Sequence, residues 1–192
     1  GATAKGCIAS ESAAAVLGGT TSFMDMPNNN PPATTITALE DKYSIAETDS
    51  WANYSFYLGA TNTNREELRN ADPSRICGIK VFMGSSTGNM LVDSQTALDD
   101  IFSLEGWLIA THCEDESTIR DNLAAAKSHY GDSSIPFSAH PLIRSREACV
   151  LSSSRAIRMA AAHGTRLHIL HVSTADELEM IAEARRKYPG IS

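Results

Sequence analysis

Three side chains in this sequence could do chemistry together. Lys80 interrupts the apolar segment "CGIKVFMG" (77–84), His112 comes near the end of "WLIATHC" (107–113), and His171 ends "RLHILH" (166–171). Alternate residues of a strand face opposite ways, so Gly78, Lys80 and Phe82 share one face while Ile79, Val81 and Met83 share the other. A lysine turned toward a helix layer would bury its ammonium without a partner, whereas one on the opposite face near a strand end can reach a site. Taken alone, Lys80 reads as a snorkelling side chain and each histidine as a core or loop imidazole. A lysine and two histidines at three equivalent strand ends are harder to assign to packing. His168 lies three residues from His171, so alternation puts the two on opposite faces. His171, nearer the strand end, is the expected inward residue.

The elements that must position these groups alternate regularly. Helix 8–17 stops at Gly18-Gly19, and strand 20–27 breaks at a run of Asn and Pro. Then follow helix 35–50, strand 53–61, helix 64–71, strand 78–84, helix 93–106 and strand 107–113. After a longer excursion come helix 145–164, strand 166–173 and helix 174–190. In the last helix, Thr174 and Glu177 have capping-box spacing, and Leu178, Ile181 and Ala182 form the expected apolar face. Residues 131–145 are expected to be one long irregular segment. Five strands and six helices in alternation predict a parallel α/β sheet with right-handed crossovers. An eight-stranded barrel takes about 250 residues. The chain begins with a helix and stops where another strand would start, so it is expected to be the central part, about strands 2 to 6, of a (β/α)8 TIM barrel. Residues 1–192 are then part of a single domain.

Composition narrows the partners. Sixteen Lys and Arg against 23 Asp and Glu give a net charge of −7, which argues against a nucleic-acid surface and for a small-molecule ligand. Cys7, Cys77, Cys113 and Cys149 are widely spaced without a CxxC, so neither a zinc ribbon nor a disulfide framework is expected. A reducing cytoplasm fits. No apolar run is long enough to span a membrane, and no signal-peptide pattern opens the chain.

"MDMPNNNPP", "GIKVFMGSSTGNM", "ATHCEDE" and "LHILHVSTADE", in this order and spacing, resemble dihydroorotase, a cyclic amidohydrolase of the metal-dependent (β/α)8-barrel amidohydrolase superfamily. The resemblance covers essentially the whole chain. It implies two zinc ions, with Lys80 carboxylated by carbon dioxide into a bridging carbamate and with His112 and His171 as ligands of the second metal. It also implies reversible hydrolysis of dihydroorotate to N-carbamoyl aspartate in pyrimidine biosynthesis. Asn28, at the position of the family's MPN motif, would hydrogen-bond the substrate carboxylate. The family's first-strand HxH motif has no counterpart, and its eighth-strand aspartate, a metal ligand and general base, would lie beyond Ser192. Residues 1–192 alone are therefore expected to be inactive. Expected protein partners are a second copy of the chain or an aspartate transcarbamoylase.

Two alternatives stand beside this one. A hydantoinase or allantoinase would use the same lysine and histidines on another cyclic amide, although the hydantoinase pattern has a tyrosine shortly after the lysine, where "GSSTGN" stands here. An inactive dihydroorotase-like subunit is the other alternative, against which the retained Lys80, His112 and His171 speak. "GSSTGN" lacks the Walker lysine and is a weak phosphate-loop signal. Asp25 is expected to make a local structural hydrogen bond, His140 and Arg144 to be surface residues, and Met24, Met26 and Met83 to fill core.

Overall fold

The computed structural model describes residues 3–84 and 89–192. Five strands, β1 (Ser22–Asp25), β2 (Asn53–Gly59), β3 (Gly78–Phe82), β4 (Leu108–His112) and β5 (Arg166–Ile169), form one sheet in the order β1-β2-β3-β4-β5. Every neighbouring pair is parallel. Sequential order means that each crossover moves one strand in the same direction, which is how a barrel is wound and an open doubly wound sheet is not.

The intervening helices are α1 (Ile8–Leu17), α2 (Ile36–Asp49), α3 (Arg65–Asn70), α4 (Gln95–Phe102), α5 (Glu116–Tyr130), α6 (His140–Ile143), α7 (Arg146–His163) and α8 (Ala175–Lys187). Their starts follow from local chemistry. The hydroxyls of Thr35, Ser94, Ser145 and Thr174 and the carboxylate of Asp115 accept a hydrogen bond from the backbone N–H three residues on, satisfying a donor the helix leaves open. Alternation places Phe56, Leu58, Ile79, Val81, Ile109, Leu167 and Ile169 in one cluster with Leu98, Ile101, Phe102, Met159 and Ile181 from the helices. That cluster is the core, and it lies between sheet and helices. The opposite face carries Lys80, Phe82, Ala110, His112 and His168.

Several expectations need correction. The excursion after β4 contains a helix of fifteen residues, α5, held by the Asp115 cap and ended at Gly131, whose φ of 85° suits glycine. The segment 131–145 is not wholly irregular, since a short 3-10 turn (Phe137–Ala139) leads into α6. In α8 the buried residues are Glu177, Ile181 and Ala184, while Leu178 is 61% exposed and Ala182 is also exposed. The helix is rotated so that the Glu177 carboxylate can accept hydrogen bonds from the hydroxyls of Ser153 (2.6 Å) and Thr174 (2.9 Å). Met83 is core, but Met24, on strand β1 at the end of the sheet order, is 62% exposed, and Met26 is half-buried.

Candidate metal centre

Lys80 lies in the middle of β3 and is 2% exposed. In the parallel register it stands beside Gly59 of β2 and Ala110 of β4, two small residues that leave room for a long side chain. Its Nζ donates to the carbonyl of Val81 at 3.1 Å and sits 3.5 Å from the centre of the Phe82 ring. Among the described residues no carboxylate pairs with it. Burial accordingly pushes its pKa down to about 7, so that near neutrality a large share of the amine is uncharged.

His112 ends β4 beside Phe82, its ring 5.9 Å away. Its Nδ1 lies 3.1 Å from Nε2 of His171, and its Nε2 lies 2.7 Å from Glu114 Oε2. An ionised carboxylate can only accept, so Nε2 of His112 donates to Glu114 and Nδ1 is the ring nitrogen that faces His171. Two imidazole nitrogens that share a tetrahedral zinc at 2.0–2.1 Å are about 3.3 Å apart, close to the spacing seen here. The histidine pair therefore fits a metal of that kind. Among the described residues no group of three His, Cys, Asp or Glu side chains converges on such a position. Lys80 lies on the same face of the sheet as His112, one layer lower, beside Ala110.

The alternation used to choose between His168 and His171 does not describe this strand. His168 pairs with Ala110, which pairs with Lys80, so it is His168 that shares the lysine's face by register. It sits one layer below the strand ends, with Nδ1 2.9 Å from Ser192 Oγ. His171 reaches His112 because β5 stops at Ile169 and the backbone turns at His171 itself, with φ of 40°. A positive φ is uncommon outside glycine and cancels the alternation beyond it. Leu170 N–H still bonds to the Thr111 carbonyl at 3.0 Å, which holds the turn against β4. Burial, with His112 and Lys80 nearby, lowers the pKa of His171 and so favours the neutral ring a metal needs.

Glu114 was not singled out from the sequence, and Arg144 was expected at the surface. Glu114 is buried, and Arg144 reaches it from the segment after α6, with Nε donating to Oε1 at 2.7 Å and a terminal guanidinium nitrogen donating to Oε2. Burial alone would raise the Glu114 pKa, but the hydrogen bonds from His112 and Arg144 outweigh it and hold the carboxyl at about 2. Neither role was legible locally, because the partners are thirty residues apart. His140 is exposed, as expected.

Asn28 stands apart from the other three. It is exposed just after β1 and lines a broad cleft with Met24, Asp25, Lys42 and Met90. Two strands lie between β1 and β4, so it is about 14 Å along the sheet from His112. The turn that carries it is tied down by Lys42, whose Nζ donates to the Met26 carbonyl (2.8 Å) and Asn29 Oδ1 (2.7 Å) and pairs with Asp25 at 2.7 Å. Asp25 is thus structural, as expected, but through an ion pair with Lys42 of α2 in place of a local hydrogen bond. Of "GSSTGN", residues 85–88 lie outside the described residues.

No family model matches the chain. An allantoinase of Deinococcus radiodurans is 30% identical over 185 residues, and a dihydroorotase of Methanosphaera stadtmanae is 28% identical over 182; each match covers 91% of this chain and 39% of the relative. Among solved structures, an L-hydantoinase (dihydropyrimidinase) from Arthrobacter aurescens superposes with a TM-score of 0.87 at 26% identity, over 94% of this chain and 40% of that one. The chain thus spans about two-fifths of the length of the proteins it matches, and its sheet is the corresponding part of their barrel. Its homologues are allantoinases, dihydroorotases and hydantoinases, the cyclic amidohydrolases of the amidohydrolase superfamily.

Proposed function

We propose that the full-length protein is a metal-dependent cyclic amidohydrolase and that its substrate is dihydroorotate, opened to N-carbamoyl aspartate and closed again in the biosynthetic direction. The observation that carries this reading is the meeting of His112 Nδ1 and His171 Nε2 at 3.1 Å, at the strand end above a buried Lys80 that pairs with no carboxylate among the described residues. His112 and His171 would hold one zinc ion. Lys80, in its uncharged form, would add to carbon dioxide through Nζ, lose a proton and become a carbamate that bridges to a second zinc. Bound zinc would polarise the ring amide carbonyl and make a coordinated water acidic enough to act near neutral pH. Asn28 would hydrogen-bond the substrate carboxylate from the β1 side of the barrel mouth. The chain would be part of one barrel domain of a cytoplasmic enzyme, consistent with four unpaired cysteines and with no described helix long and apolar enough to cross a membrane. A second copy of the chain or an aspartate transcarbamoylase would be its protein partner.

The relatives favour a second substrate class as strongly. Two allantoinases and an L-hydantoinase match 91–94% of this chain at 29–30% identity. The dihydroorotase reading rests on the four motifs together and on the lack of a tyrosine shortly after Lys80. Purified full-length protein, with its zinc content measured, should be assayed on dihydroorotate, allantoin and hydantoins. Turnover of dihydroorotate well above the others is expected. Preference for allantoin or a hydantoin would move the protein to the second class, and zinc binding without turnover of any of them would favour the inactive subunit.

A further inference from the structure

We infer that Glu114 and Arg144 are positioning residues for the metal centre: the guanidinium fixes the carboxylate, and the carboxylate fixes the ring and tautomer of His112. This rests on the reading of His112 as a ligand, and deepens it. Three observations lead here. First, Glu114 is buried two residues past the end of β4, where an unpaired carboxylate would be costly, yet it is fully engaged. Second, its two oxygens are divided, Oε1 taking Arg144 Nε at 2.7 Å and Oε2 taking both a terminal nitrogen of Arg144 and His112 Nε2, the latter at 2.7 Å. A two-point fork of this kind sets the plane of the carboxylate, which a single contact would not. Third, the hydrogen bond falls on the ring nitrogen remote from His171, so Nδ1 is the nitrogen directed toward the partner histidine.

The anchor comes from outside the sheet. Arg144 belongs to the connection between α6 and α7, and Ser145 immediately after it caps α7. Asn122 of α5 donates to the Ile143 carbonyl at 3.2 Å, and the Asp115 N–H donates to the Ala148 carbonyl at 2.9 Å. The connection is thus tied on both sides of Arg144 to elements that follow β4. Carboxylate–histidine–metal relays generally orient the ligand and raise its basicity, and losing the outer partner typically costs about 10–100-fold in metal affinity.

The test uses the full-length protein, its Glu114→Gln, Arg144→Ala and Arg144→Lys variants, zinc alone as probe with a competing chelator, and ring-nitrogen NMR of the metal-free protein. In the wild type, His112 should be protonated at Nε2 and not at Nδ1. Glu114→Gln and Arg144→Ala should each weaken zinc binding about 10–100-fold and mix the His112 tautomers, and Arg144→Lys should recover part of both. Unchanged zinc affinity would overturn the inference, as would weaker zinc with an unchanged tautomer, which is what a merely structural pair would give. If a variant fails to fold, the wild-type spectrum still decides, because a proton on Nδ1 refutes the relay. A wild type that binds no zinc would defeat the proposed function, while the tautomer of His112 would continue to test this inference separately.

Discussion

Replacing Lys80 with Met keeps an unbranched side chain, one atom shorter, and removes its charge. In the folded protein the described residues offer the ammonium one carbonyl, one aromatic ring and no carboxylate, and its pKa falls from the ordinary 10.5 to about 7. At about 1.4 kcal/mol per tenfold change in proton affinity, folding with a charged Lys80 costs at most about 5 kcal/mol. The unfolded chain holds this proton up to pH 10.5 and the folded one only up to about 7, so between those values the unfolded state binds more protons. The contribution of Lys80 to stability therefore rises with pH across that window. Urea unfolding of the metal-free protein in carbon-dioxide-free buffer, followed from pH 6.5 to 10, measures it. Other groups with shifted pKa values, such as Lys42, Tyr57 and Cys149, are common to both proteins, so the difference between wild type and Lys80→Met reports the lysine together with His171, whose pKa the lysine helps to lower. The variant should be the more stable by a few kcal/mol at pH 7, with the gap closing toward pH 10. Bicarbonate should stabilise the wild type and leave the variant unaffected. Parallel pH profiles would show that Lys80 is solvated or paired, and would remove the reason for expecting a reactive amine there.

His171→Ala should lose bound zinc, while His168→Ala should retain it and cost stability through the lost contact with Ser192; zinc content and thermal melting of the two variants distinguish these outcomes. At Gly84 an added Cβ would lie 2.1 Å from the Glu114 carbonyl oxygen, so Gly84→Ala must push apart the ends of β3 and β4. A loss of at least about 2 kcal/mol in urea unfolding is expected, together with weaker zinc binding. Asn28→Ala should raise KM for dihydroorotate about tenfold with little change in kcat, as removal of a substrate hydrogen bond does when chemistry is untouched; steady-state kinetics tests it.

The sheet was legible because its signals are local. Apolar runs ending in histidine, caps such as Ser145 and Thr174, and glycine stops fix the strands and most helices without knowledge of the fold. Helix α5 escaped because only Ile119 of its fifteen residues is buried, so it carries almost no apolar stripe; Asp115 before it and Gly131 after it were the available signs. Alternation correctly separated Lys80 from Ile79 and Val81. It misdescribed His171, which reaches His112 through a single positive φ that overrides the strand pattern. In α8, the burial of Glu177 in place of Leu178 depends on the Ser153 hydroxyl of another helix. Glu114 and Arg144 failed to stand out for the same reason: each is an ordinary charged residue until the fold brings the two together.

The central claim is that His112, His171 and Lys80 build one metal centre. A crystal structure of the full-length protein grown with zinc and bicarbonate, with an anomalous difference map recorded at the zinc edge, tests it most directly. The account predicts a peak about 2.0–2.1 Å from both His112 Nδ1 and His171 Nε2, with density for a carbamate on Lys80 reaching the same ion. Absence of a peak between the two histidines, or a peak on His168 with Lys80 unmodified, would contradict it.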